Sequence, residues 1–131
     1  MTMTKLRTVL PVSHEDALAR VPEALKSEGF GVLTEIDVRG TLAKKLGVDF
    51  RRYTILGACN PPLAHEALEA DLEVGLMLPC NVVVYDAGDG KSVVLAIDPT
   101  QTLAAGNPKL AKLAETVRQK LARVIEKLDE G

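Results

Sequence analysis

The sequence predicts one α+β domain, a mostly antiparallel sheet of about five strands with helices packed on one face. Three observations carry this. Several short runs alternate apolar and polar residues, the mark of strands. Cys80-Asn81-Val82-Val83-Val84-Tyr85 and Ser92-Val93-Val94-Leu95-Ala96-Ile97 flank the turn residues Asp86-Ala87-Gly88-Asp89-Gly90, which reads as a hairpin. Near the C-terminus, Leu110, Leu113, Val117, Leu121, Val124 and Leu128 step by three or four, the spacing of an amphipathic helix. A terminal hairpin argues against a doubly wound parallel sheet.

In chain order the elements read β-α-β-(short α)-β-α-β-β-α. Residues 6–12 form a strand that ends at Pro11, suiting it to a sheet edge. Ser13 caps a helix whose first turn holds Glu15 and Asp16, acids that suit the positive end of the helix dipole. Ala17, Leu18, Val21, Ala24 and Leu25 give that helix its buried stripe, although Pro22 interrupts it and leaves its start open. Gly29-Phe30-Gly31 begins a strand with Phe30, Val32, Thr34, Ile36 and Val38 on one side and Glu35 and Asp37 on a wet side. Gly40 breaks it, and residues 41–46 form a short helix closed by Gly47. Residues 53–59 are the third strand, with Tyr53, Ile55, Gly57 and Cys59 sharing a face.

Asn60-Pro61-Pro62 then caps a helix with proline in its first turn. Leu63, Ala67 and Leu68 face inward, while His65, Glu66, Glu69 and Glu73 form an acidic arc. The hairpin strands are continuously apolar, which places them centrally in the sheet. A loop or short turn runs from Asp98-Pro99 to Asn107-Pro108, which opens the last helix, ending about Asp129.

Composition narrows function by exclusion. The 131 residues are 47% hydrophobic and 26% charged, with no Trp, two Phe and two Tyr, so the core is aliphatic. A net charge of −2 and the scarcity of stacking rings argue against a nucleic-acid partner. No run approaches the roughly 18 apolar residues of a spanning helix, and no membrane partner is expected. Met1 to Arg7 lacks the pattern of a signal peptide, so the expected compartment is the cytoplasm, with both thiols reduced. No cofactor motif is present. Neither a Gly-x-Ser-x-Gly elbow nor a phosphate loop occurs, so the reading leans away from an enzyme.

The chemistry-bearing residues gather in two dipeptides, Cys59-Asn60 at the end of one strand and Cys80-Asn81 at the start of another. If those strands are antiparallel neighbours, Cys59, Asn60, Cys80 and Asn81 meet at one end of the sheet, with His65 a short way into the next helix. Three readings stay open. The cysteines are small apolar filler and the Asn and Pro residues do turn and cap work. Alternatively they line a small-ligand or thiol site that uses free backbone N–H groups of the helix after Asn60. In the third, Cys59, Cys80 and His65 ligate a metal without the close Cys-x-x-Cys spacing of a zinc site. His14, at a helix start, reads as a surface residue, and the default partner of His65 is Glu69 one turn on.

Gly57-Ala58-Cys59-Asn60-Pro61 and Leu76-Met77-Leu78-Pro79-Cys80-Asn81-Val82-Val83-Val84 resemble motifs of a bacterial and archaeal family, domain of unknown function 302. Gly29-Phe30 and Ile97-Asp98-Pro99 add to the resemblance, which covers most of the chain. It implies a compact α+β domain, a homodimer, and no established activity or catalytic residues. The function expected is therefore a small non-catalytic ligand-binding or interaction domain that forms a homodimer and takes an unidentified small molecule. The alternative is a thiol-dependent redox or metal-binding protein using Cys59 and Cys80. A dimer could pair the acidic arc with the last helix, where Lys109, Lys112, Arg118, Lys120, Arg123 and Lys127 outnumber Glu115, Glu126, Asp129 and Glu130.

Overall fold

The computed structural model describes residues 6–130. The reading of the N-terminus falls partly on residues 1–5 and to that extent lies outside the described residues. Five strands form one sheet in the order β1-β5-β4-β3-β2, with every neighbouring pair antiparallel. They are β1 (Arg7–Leu10), β2 (Gly31–Asp37), β3 (Tyr53–Cys59), β4 (Cys80–Gly88) and β5 (Lys91–Ala96). The helices are α1 (His14–Lys26), α2 (Val38–Leu46), α3 (Pro61–Ala70), α4 (Leu103–Gly106) and α5 (Ala111–Glu130). The apolar hairpin takes the middle of the sheet, and the proline-terminated β1 takes an edge, where its free strand side loses no ladder bond.

Register fixes which side chains meet the helices. Leu56 stands opposite Val82 and Val82 opposite Ala96; Val84 stands opposite Val94. These residues, with Ala58 and Cys80, pack against Ala17, Val21 and Leu25 of α1 and Val117, Leu121, Val124 and Leu128 of α5. The seam of α5 is thus buried as its spacing implies, and burying each Leu or Val contributes about 1.5–3 kcal/mol. The C-terminal end of α1 is also tied to α5 by charge. Both carboxylate oxygens of Glu28 are engaged, by Arg123 Nε and Lys127 Nζ, each at 2.9 Å. Those contacts, Lys127 foremost, hold the Glu28 carboxyl below its usual pKa.

Three local readings change. Helix α1 runs through Pro22 without a break, from the Ser13 cap to Lys26, because its buried stripe spans both sides of the proline. In β2 a register shift between Val32 and Thr34 puts Val32 on one face and Thr34 and Ile36 on the other, so the expected single apolar side is broken. The strand is an edge and nearly all of it is exposed. Val38 belongs not to the strand but to α2, which starts at the Asp37 cap, includes Gly40, and ends at Gly47.

The connecting segments also depart from the sequence reading. Leu72–Met77 forms a 3-10 helix, which removes Glu73 from the helical arc assigned to it. Between β5 and Asn107 the expected loop holds a 3-10 turn, Pro99–Gln101, and α4. The last helix, expected to open at Asn107-Pro108, begins as a 3-10 turn over Pro108–Leu110 before α5. Buried Leu103 and Leu110 from this stretch join Ala67, Val74, Leu113 and Ala114 in a second apolar cluster. Among the described residues no helix is long and apolar enough to cross a membrane.

Gly57 is the tightest point of the sheet. A Cβ there would collide with the Thr34 side chain and stand 2.7 Å from Pro79 Cγ. Gly57→Val is therefore expected to cost about 1–3 kcal/mol, read as a lower midpoint in thermal unfolding. An unchanged midpoint would mean that β2 and Pro79 do not press on this strand.

A candidate ligand cavity at one end of the sheet

Where β3 ends and β4 begins, Ala58 stands opposite Cys80 and Gly57 opposite Asn81. The chain leaves β3 at Asn60, whose Oδ1 accepts from the Leu63 N–H at 3.4 Å and whose Nδ2 donates to the Glu28 carbonyl at 3.3 Å. One side chain thus caps α3 and fastens it to the end of α1. This is the turn and cap work expected of it, with proline in the first turn of α3.

A cavity of about 350 Å³ lies at this end. The sheet contributes Ala58, Cys59 and Cys80, α3 contributes Leu63, Ala64, Ala67 and Leu68, and α5 contributes Leu113 and Val117. Leu78 and Pro79 close it from the segment before β4, Leu103 from α4, and Phe30 and Leu33 from the start of β2. Asn60 is the only amide side chain in the wall, no charged residue is there, and Asn60 is committed to Glu28 and Leu63. Folded interiors hold few voids larger than a water molecule. An apolar void of about 150 Å³ stays dry and accepts a small aromatic hydrocarbon.

The predicted residues divide. Cys59, Asn60 and Cys80 line this cavity together. Asn81 is exposed on β4 and is not part of the wall. His65 is exposed on α3, with Nε2 at 3.1 Å from Glu69 Oε1, the local pair expected of it. His65 therefore does not join Cys59 and Cys80 here, and no three His, Cys, Asp or Glu among the described residues are grouped to hold an ion. Free helix N–H groups are absent as well. Pro61 and Pro62 have none, and those of Leu63 and Ala64 are bonded to Asn60 Oδ1 and to the Asn60 carbonyl.

Both cysteines are free thiols, Cys59 half-buried and Cys80 buried. Burial first, and the nearby Cys59 second, push the Cys80 thiol up to about 11. At neutral pH it is a protonated, apolar sulfur, the opposite of an activated nucleophile.

At the other end of the sheet the structure corrects a second reading. His14 is buried, not superficial: its Nε2 lies 3.1 Å from Thr54 Oγ1, and a backbone hydrogen bond joins it to Val84. Two cavities of about 330 and 320 Å³ flank it and share Arg52, with Asp86 in the wall of one and Glu35 and Asp37 in that of the other. The signal in the sequence was Thr54, a polar residue at an inward position of β3, which needs a partner once buried.

Together these features define a sheet clad by helices on one face, with an apolar cavity where its central strands meet α3 and α5. The profile of Domain of unknown function DUF302 matches residues 6–128, and the chain belongs to that family. A crystal structure of an uncharacterized conserved protein DUF302 from Bacillus stearothermophilus is 33% identical, with a TM-score of 0.84 over 93% of this chain and 95% of that one. No curated protein matches the chain.

Two outcomes follow. In a Cys59→Ser background at pH 8, where burial alone raises the thiol pKa, Cys80 should alkylate at least about tenfold more slowly in the folded protein than in urea, from its smaller thiolate fraction. A rate at or above that of the unfolded chain would restore the thiol-enzyme reading. Burial lowers the His14 pKa below 6.5, with the Arg52 charge acting in the same direction and the Val84 bond, Asp86 and Asp37 opposing. The unfolded chain therefore binds more protons between the folded value and 6.5. The His14 contribution to stability is full above that window and falls as pH drops through it. Urea unfolding of wild type and His14→Gln across this range should show the wild type losing its acid sensitivity with the mutation. Identical pH slopes would contradict the assignment.

Proposed function

We propose that this is a non-catalytic binding domain whose cavity between β3, β4, α3 and α5 holds a small apolar molecule. The observation that carries the reading is the cavity's size and wall together. About 350 Å³ falls within the range of small-molecule sites, and the wall is apolar, aliphatic side chains with the Phe30 ring, apart from one amide and two thiols. Such a wall selects by shape and area, not by charge. It carries no His, Asp, Glu or Lys to serve as a general base, and Cys80 is held as a thiol. The reducing cytoplasm is the compartment that suits two free thiols.

The test uses N-phenyl-1-naphthylamine, a neutral fluorophore that brightens in apolar surroundings. Wild type should give saturable one-to-one enhancement. Ala64→Phe, which places a ring in the cavity, should abolish it while leaving the unfolding midpoint within a few degrees. Enhancement that survives this change, or never saturates, would remove the cavity as the binding site.

A second reading, the homodimer, is favoured by the uncovered face of the sheet. Ile36, Ile55, Val83 and Leu95 form one continuous row across four strands, all partly or fully exposed. Beside them the rings of Tyr53 and Tyr85 stack at 5.6 Å, and the Arg51 guanidinium sits 5.9 Å above Tyr85. Aliphatic rows bordered by Tyr and Arg are the composition of interface centres. This face replaces the charge pairing expected between helices, because Arg118, Arg123 and Lys127 of α5 already pair within the chain, with Asp98 and Glu28. Sedimentation equilibrium at micromolar concentration should give a dimer for wild type and a monomer with unchanged far-ultraviolet dichroism for Val83→Lys. A wild-type monomer would refute this reading.

A further inference from the structure

Resting on the cavity reading above, a second feature narrows the class of ligand. A neighbouring groove of about 470 Å³ shares Asn60 and Leu63 with the apolar cavity, so the two adjoin at the start of α3. Its remaining wall is Ser27, Glu28, Gly29, Pro62 and Lys120. Lys120 is half-buried on α5 and has no ion-pair or hydrogen-bond partner among the described residues. The adjacent Glu28 does not serve it, since both carboxylate oxygens are taken by Arg123 and Lys127. An apolar cavity thus borders a groove with one unpaired cation.

We propose that the ligand is an aliphatic carboxylate, its chain in the apolar cavity and its head in the adjoining groove on Lys120. The groove wall itself carries one cation, Lys120, beside a Glu28 carboxylate already bound by Arg123 and Lys127. Arg123 and Lys127 are each held to Glu28, so Lys120 is the ammonium in the groove wall that is left to meet a ligand. A phosphate dianion would call for a second donor or an arginine fork, and neither lines the groove. The N-terminus of α3 adds a favourable dipole but no donor, because its prolines lack N–H groups and Leu63 is bonded to Asn60. Asn60 is fixed in the wall between tail and head, where it can keep the two environments apart without turning.

The experiment is calorimetric titration of the full chain at pH 7.5 with hexanoate, octanoate and decanoate, and with 1-octanol as the uncharged match to octanoate. Affinity should rise about fourfold per added methylene while the chain still finds wall to cover. Octanoate should bind about tenfold tighter than 1-octanol. Lys120→Met should bring the acid down to the alcohol and leave the alcohol unchanged, whereas Lys112→Met, on the exposed side of α5, should keep the preference. Lys120→Gln gives the same comparison if the methionine variant folds poorly, and the wild-type comparison needs no variant. Equal affinity for octanoate and octanol, or a preference that survives loss of Lys120, would overturn the carboxylate assignment while leaving the cavity in place. Failure of every probe to bind would overturn the cavity reading as well.

Discussion

The structure depends on one helix burying its apolar seam against two different partners. Along most of its length α5 lies on the sheet, where Val117, Leu121, Val124 and Leu128 join the main cluster with α1. At its start, Leu113 and Ala114 belong instead to the smaller cluster built by α3, α4 and the 3-10 segments. Leu113 and Val117 are one helical turn apart, and both line the cavity. The void is therefore the seam between two packed units that share a helix. Filling it with side chains would fuse the clusters into a single core. Leaving it open keeps an apolar wall available, at a cost set by lost dispersion contacts and by the area not buried.

The rest of the arrangement keeps that seam from collapsing. Asn60 pins the first turn of α3 to the Glu28 carbonyl, and Glu28 in turn grips α5 through Arg123 and Lys127. On the far side Asn107 Nδ2 donates to Asp71 Oδ2 at 3.0 Å, tying the segment after α3 to the segment before α5. These polar ties lie at the rim, where neither partner needs to be stripped of all water, so each can hold position without a large desolvation penalty. The apolar wall supplies area and the rim supplies geometry.

Much of the fold was legible because it rests on periodicity. The alternating and continuous apolar runs gave the strands, the hairpin and its central place, and the three-four spacing gave the buried seam of α5. The antiparallel meeting of Cys59 and Cys80 followed from where the two runs stop and start. What escaped detection was set by longer-range geometry. A one-residue shift near Leu33 reverses the faces of β2, and no composition marks it. The 3-10 segment Leu72–Met77 exposes Leu72 and Leu76 and buries Val74, so its pattern matches neither a strand nor an amphipathic helix. The cavity was legible only as a cluster of residues. Its wall draws on Phe30, Leu103 and Leu113, far apart in sequence and individually ordinary core positions. The burial of His14 is invisible in its own sequence neighbours because it depends on Thr54, forty residues on in the chain.

The ligand is proposed to sit in the space between the two apolar clusters. Methyl-labelled NMR during titration with octanoate tests it most directly, since Leu and Val methyls report from every surface of the domain. Leu63, Leu68, Leu103, Leu113 and Val117 should shift together and saturate, while Val9 and Leu95 on the open sheet face stay in place. Shifts confined to the open face, with the cavity methyls unmoved, would contradict it and move the search for function to the sheet surface.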